Sequence, residues 1–318
     1  MALGEAPIKA AVRWIEEQLQ DRPDADRVTL VGEASRRFDL TPLDEDFLLR
    51  HIAQRGRTPE VTDAHTSRVQ AHFGRAADAY VASAGHAAGP DLEWLIERGR
   101  RRAPARVLDI ATGGGHTALA FAGFTESVIA TDLTEPMLRA ARQLAAAQGA
   151  TAIRFTAADA DALPFKDASF GAVTCRIAAH HFAELLPALR QVARVLRPGG
   201  SFLVEDILGH DDAELAAFMS DVERRRDPSH VRAFRQIEWT AFLRAVGLTV
   251  IDEAVMSKVR DWDDWTARAQ MSERAKRDLD RVVLAAPARC RDAFEFTVEA
   301  GRIRSFTTRL LLLRADRD

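Results

Sequence analysis

The stretch Val107-Leu108-Asp109-Ile110-Ala111-Thr112-Gly113-Gly114-Gly115-His116 decides how the rest of the chain is read. A run of strand length passes straight into small residues and then into a helical pattern that opens at His116. Glycines in such a loop let the backbone turn sharply and let a ligand approach main-chain N–H groups with no Cβ in the way. In an open α/β sheet a loop of this kind stands outside the carboxyl end of a strand, where ligands of these folds bind.

Outward from this loop, strand and helix patterns alternate. Residues 106–110, 127–132, 153–157, 169–177 and 201–206 read as strands. Helices are predicted at 116–121, at 135–148 behind the capping candidate Thr134, and at 184–196, where Pro198-Gly199-Gly200 stops the pattern. Residues 208–237 are polar and partly helical, with no room for a strand. The alternation resumes with a helix at 238–246, a strand at 248–256, a helical region at 261–300 and a last strand near 306–313. The pattern predicts an α/β fold: a doubly wound, mostly parallel seven-stranded sheet covered by helices on both faces, with an insertion at about 208–237.

Residues 1–60 read as a small helical module. Ile8, Val12, Ile15 and Leu19 recur at three- and four-residue steps and make one apolar stripe. A second helical stretch spans about 28–38. A third begins near Thr41-Pro42, where Thr is a cap candidate and Pro suits a first turn. Gly56, Thr58 and Pro59 read as a linker into residues 61–318. About 60 residues bury little surface alone, so the module is expected to pack on the main domain or on a second subunit, with homodimerisation as the working expectation.

Composition narrows the function classes. A net charge of −3 gives no excess of Lys and Arg for a phosphate backbone, so no nucleic-acid partner is expected. The run Arg98, Arg100, Arg101, Arg102 reads as a solvated helix end. Cys175 and Cys290 form no paired motif, which suits a reducing compartment. No trio of side chains has metal-site spacing, so no metal is expected. Glu5, Lys9, Arg13, Glu16 and Glu17 interrupt residues 1–20 and leave no signal-peptide core or membrane span. A cytoplasmic location is the expectation.

A glycine loop alone also serves nicotinamide and flavin enzymes. Two acids discriminate. Asp109 sits inside the strand, two residues before the loop, where a carboxylate would repel a pyrophosphate but hold a cationic or amino group. Asp132 ends the next strand, where its two oxygens can accept both hydroxyls of a ribose. Together they suit a nucleoside with an amino-acid tail better than a dinucleotide.

From here the chain resembles class I S-adenosylmethionine (SAM)-dependent methyltransferases, closest to the ubiquinone/menaquinone-biosynthesis methyltransferase-like group, over roughly residues 65–315. Ala111, Thr112, Gly113 and Gly115 stand in the family's glycine loop, with Ala111 replacing its first glycine. Asp132-Leu133-Thr134 and Met137 match the ribose-binding acid and the residue that packs on adenine. Asp159-Ala160, followed by Leu163-Pro164-Phe165, resembles the segment that reaches the adenine amino group. Leu196-Arg197-Pro198-Gly199-Gly200 resembles the turn before strand five. Gly171 departs from the family, which commonly has Asp there; a local effect is expected. The resemblance implies a Rossmann-like fold and SAM as cofactor, with Asp109, Ala111, Thr112, Gly113, Gly115, Asp132, Leu133, Met137, Asp159, Ala160 and Arg176 around it.

The acceptor side is less determined. His180-His181 follow the fourth strand at the sheet end where a sulfonium would lie, and a neutral imidazole is a suitable proton acceptor near pH 7. Phe73-Gly74-Arg75-Ala76-Ala77-Asp78-Ala79-Tyr80 resembles the family's lid helix, and Tyr80 is the chain's only tyrosine. His180, His181 and Tyr80 are therefore the catalytic candidates. His86 is a further lid candidate, and His230 with Arg232 is a candidate pair for an anionic or phenolic group. The expected activity is methyl transfer to a small-molecule acceptor. Competing readings keep SAM for cyclisation or elimination, make the chain a non-catalytic SAM-binding subunit, or make it a nicotinamide-dependent dehydrogenase.

Overall fold

In the computed structural model, residues 6–22, 25–49 and 59–318 are described. Gly56 and Thr58 of the expected linker, with residues 1–5 and 23–24, lie outside them. The N-terminal module forms α1 (Pro7–Asp21), α2 (Arg27–Phe38) and α3 (Pro42–Leu48). The lid segment follows as α4 (Pro59–Val81), α5 (Ala84–Ala87) and α6 (Pro90–Arg102). The core then alternates: β1 (Arg106–Ile110), α7 (His116–Ala122), β2 (Ser127–Asp132), α8 (Glu135–Ala147), β3 (Ile153–Ala157), β4 (Phe170–Arg176), α9 (Leu185–Val195) and β5 (Leu196–Ile207). The C-terminal part comprises α10 (Ala213–Arg226), α11 (Gln236–Ala245), β6 (Leu248–Asp261), α12 (Trp262–Arg268), α13 (Glu273–Ala285), α14 (Ala288–Ala293), β7 (Thr297–Glu299) and β8 (Arg302–Arg317).

Seven strands lie in the order β3-β2-β1-β4-β5-β8-β6. β1 through β5 pair in parallel, and β8 runs antiparallel between β5 and β6. Strand order reverses between β1 and β4, so the glycine loop after β1 opens at the topological switch point. Short β7 adds an eighth strand, paired antiparallel with the start of β8. It lies inside the region read as helical, and its three residues are too few for a period-2 signal.

Two strands run further than their sequence pattern indicates. β6 and β8 stay paired from Leu248↔Arg317 to Asp261↔Ser305, whereas β5 stops at Ile207↔Leu310. The overhang rises past the carboxyl edge of the sheet and packs Phe306 against Trp262 and Trp265, with Leu279 and Val283 of α13 in the same cluster. It forms a wall beside the switch point.

The stripe on α1 is used inside the chain. Ile8, Val12 and Ile15 share one buried cluster with Leu185, Leu186 and Leu189 of α9 and with Trp239 and Phe242 of α11. Phe47 meets Phe242 edge to face, 4.9 Å between centroids, and Asp44 pairs with Arg244. Gly171 sits where the β4–β5 register shifts between Phe170 and Ala172. A Cβ there would lie 3.1 Å from the Pro104 side chain, so the departure from Asp fits tight packing at that point. Among the described residues, no helix is long and apolar enough to cross a membrane.

Candidate active site

The loop Ala111–Gly115 is shaped from below. Asp109 is buried, and its two carboxylate oxygens accept from Thr112 Oγ1 and Thr174 Oγ1, each at 2.5 Å. Burial raises its pKa to about 6 against the opposing pull of the two hydroxyls. Asp109 is not among the residues lining the cleft. The expectation that its carboxylate meets the ligand is corrected: it holds the loop from behind, and an acid that does not face the cleft gives little argument against a pyrophosphate. Ala111 adopts φ 51°, the left-handed conformation that a glycine takes without strain. Gly113 (φ 53°) and Gly115 (φ 84°) do the same.

Asp132, by contrast, faces the cleft. It caps β2 at the cleft wall, accepting from Gly113 N–H and Thr134 N–H on separate oxygens, each at 2.9 Å. One lone pair remains on each oxygen for a pair of vicinal hydroxyls. Burial raises its pKa, opposed by those two N–H groups. Leu133, Met137, Ala158, Asp159, Ala160 and Asp161 continue the same wall. Across the cleft stand Thr112, Gly113, Gly114, Tyr80, His86 and Arg176, around a volume of about 1130 Å³. This fits an adenosyl group at the acidic end and an amino-acid tail at the loop.

Arg176 is braced on three sides. It donates to Asp91 (2.6 Å), Glu205 (2.8 Å) and the His86 carbonyl (2.8 Å), tying the lid to the sheet. Lys258 donates to the same Asp91 at 3.0 Å and to the Gly85 carbonyl at 2.8 Å. Burial works to raise the Asp91 pKa, yet Arg176 and Lys258 hold it well below the usual carboxylate range. Ile177, next in the chain, takes φ 52°, a strained conformation for a β-branched residue, at the point where β4 delivers the chain to the histidines.

The two histidines separate in role. His181 lines the cleft; His180 does not and faces a second, inner cavity. His180 Nδ1 lies 2.5 Å from Asp206 Oδ1, and its backbone N–H donates to Asp206 Oδ2 at 2.8 Å. Burial opposes a charge on His180, but Asp206 outweighs it and the pKa rises. His181 is pushed well below its ordinary value by burial and then by His180 and His230. Ser229 Oγ donates to Asp227 Oδ1 (2.5 Å), which leaves its oxygen free to accept from His181 Nδ1 at 3.1 Å. That places the lone pair of His181 on Nε2, 3.8 Å from Asp227 Oδ2.

Tyr80 lines both cavities, its ring 5.4 Å from Phe73 and 5.5 Å from His86. His230 is buried with neither ring nitrogen bonded, its pKa pushed down to about 2 by burial first. It lines a third cavity near α10, while Arg232 pairs with Glu238 at 2.9 Å and stacks on Phe234. The expected His230–Arg232 pair is therefore not assembled. Among the described residues, no group of three His, Cys, Asp or Glu side chains is placed to hold a metal ion.

Arg260 and Arg268 join the site without having been singled out for it in the sequence. Only Arg260 left a readable trace. Met256, Lys258 and Arg260 alternate in phase with the strand before them, which extends β6 toward the cleft.

A sheet of this order, with a glycine turn and a strand-end acid at its switch point, defines a class I SAM-dependent methyltransferase. Residues 108–204 match the methyltransferase domain family. The chain is similar to the protein named Uncharacterized methyltransferase YcgJ of Bacillus subtilis strain 168, 36% identical over 243 residues, covering 76% of this chain and 96% of that protein. The crystal structure of that YcgJ protein superposes with a TM-score of 0.69 over 71% of this chain and 97% of that one. A demethylmenaquinone methyltransferase of Thermus thermophilus is 41% identical over 121 residues, 36% of this chain and 54% of that protein. The chain belongs to the class I SAM-dependent methyltransferase family.

Proposed function

We propose that this chain binds SAM in the cleft after β1 and transfers its methyl group to a small-molecule acceptor seated in the inner cavity. The observation that carries this reading is the junction of the two cavities: Phe73, Tyr80, His86, Ile177 and His181 line both. Asp132 holds the ribose hydroxyls, Leu133 and Met137 pack on the adenine, and Asp159 with Ala160 borders its edge. Thr112 and Gly113 lie along the amino-acid tail, and Arg176 keeps the lid closed over it. When bound, SAM supplies an electrophilic methyl group on a sulfonium.

The protein's own contribution is mostly alignment, which lowers such barriers by roughly 7–11 kcal/mol when reacting atoms are held in line. His181, neutral and with a lone pair on Nε2, accepts a proton from an acceptor that must lose one. Asp227 is close enough to stabilise the imidazolium so formed. Tyr80 covers the junction and excludes water. Calorimetry tests the cofactor half: SAM and S-adenosylhomocysteine should both bind, and Asp132→Ala should weaken both at least about tenfold, through lost hydrogen bonds to a charged acceptor. Incubation with methyl-labelled SAM tests the reaction. Label recovered in an acceptor supports methyl transfer; label retained in methylthioadenosine overturns it.

A further inference from the structure

The inner cavity, of about 490 Å³, is lined by more guanidinium groups than carboxylates. Three guanidinium groups line it: Arg226, Arg260 and Arg268. The one carboxylate on its wall is Glu223. Arg226 is committed. Its Nε donates to the Trp265 carbonyl at 2.9 Å and it stacks on the Trp265 ring. Arg268 is half committed, pairing through one Nη with Asp264 while its buried Nε has no partner. Arg260 stands on the β6 overhang. Among the described residues its guanidinium makes neither a hydrogen bond nor a contact ion pair.

A partly buried guanidinium with no contact ion pair is costly, because carboxylates at a distance, Glu223 and Glu205, offset its desolvation only in part. Such an arrangement is retained where an anion arrives to complete it. The neighbourhood reports the same field. His86, on the lid side of the cavity, is held well below its ordinary pKa by burial and then by Arg176, Arg268, Arg260 and Lys258. The pKa of Arg260 itself is pulled down by burial and by Arg268, against the opposing pull of Glu223 and Glu205.

We propose that the acceptor carries a carboxylate, and that Arg260, seconded by Arg268, anchors it in the inner cavity. The fork of a guanidinium matches a carboxylate through two parallel N–H donors and fixes orientation as well as affinity. Phe73, Trp265 and Tyr80 give the rest of the cavity an aromatic wall, which favours a planar or apolar body behind the anionic group. An acceptor anchored at Arg260 presents its other end to the junction at Tyr80 and His181. The inference rests on the methyl-transfer reading above.

The test uses the full chain saturated with S-adenosylhomocysteine. Benzoate, phenylacetate and 3-phenylpropionate are each titrated calorimetrically beside their own amides. At least one acid should bind, with its amide weaker by about tenfold or more, the worth of a charge-assisted hydrogen bond. Arg260→Gln should abolish that preference and Arg260→Lys should retain part of it, while affinity for S-adenosylhomocysteine stays unchanged in both. Acids and amides that bind alike, or acids that do not bind, overturn the inference and leave the methyl-transfer reading standing. Loss of S-adenosylhomocysteine affinity in Arg260→Gln also overturns it, since Arg260 would then serve the cofactor's own carboxylate. A wild-type chain that binds no S-adenosylhomocysteine sinks both.

Discussion

Asp109 and Thr112 are joined by a 2.5 Å hydrogen bond that holds the glycine loop from inside the sheet. The carboxylate pays for this position through desolvation, its pKa rising from 3.8 to about 6. A raised acid favours the folded state fully below about pH 3.8, and that contribution is lost as pH climbs through 6. Asp109→Asn keeps hydrogen-bonding capacity toward Thr112 and Thr174 and removes the titration. Relative to the variant, the wild-type chain should lose about 2 kcal/mol of stability between pH 4 and pH 7. Urea denaturation of both proteins across that range checks it. A stability difference independent of pH would refute the assignment.

Ala111 takes a backbone conformation that costs an L-residue roughly 1–2 kcal/mol relative to glycine. Ala111→Gly should therefore stabilise the chain by up to about 1 kcal/mol, the gain being reduced by the greater freedom of glycine in the unfolded state. Affinity for S-adenosylhomocysteine should stay as it was, because the loop already has the required shape. A destabilised variant in the same denaturation assay would show that the Ala111 methyl packs usefully.

His181 and His180 should respond differently to substitution. With His181 neutral down to acidic pH, His181→Asn should lower kcat by roughly 10²–10⁴ for an acceptor that must lose a proton, with S-adenosylhomocysteine binding retained. Asp206→Asn removes the group that raises the His180 pKa. The stability conferred by that pair is present below the ordinary histidine pKa and is lost as pH rises through the raised value. The Asp206→Asn variant should thus be most destabilised on the acidic side of neutrality and approach wild type in alkali. Melting temperatures measured across pH decide this, and a deficit growing toward alkaline pH would contradict it.

Most of the fold and the residues lining the cleft after β1 were legible because they are written locally. Each of the parallel strands is a short apolar run ended by a turn residue, and Gly113, Asp132 and Asp159 sit at strand ends whose direction follows from the alternation. The inner cavity is assembled from distance. His181, Ser229 and Asp227 meet across 48 positions of chain order, and Arg260 reaches the cavity through a strand overhang that polar residues disguise. Asp109 was misjudged for a related reason. Its place in the strand was plain, but the side of the loop it faces depends on Thr174 in the neighbouring strand β4.

The N-terminal module offers a sharper choice than its sequence did. Phe47 is buried against Phe242, and Asp44, also buried, pairs with Arg244. Among the described residues, none of the cleft's walls comes from α1, α2 or α3. If these helices serve the chain's own core, Phe47→Ala should cost about 3–5 kcal/mol, the usual loss for a large buried aromatic. It should do so without altering affinity for S-adenosylhomocysteine. If the module is instead chiefly a docking surface, the same substitution should change the mass seen by light scattering while the denaturation midpoint hardly moves. The edge-to-face contact with Phe242 favours the first outcome, because the aromatic face that would greet a partner is already covered from within.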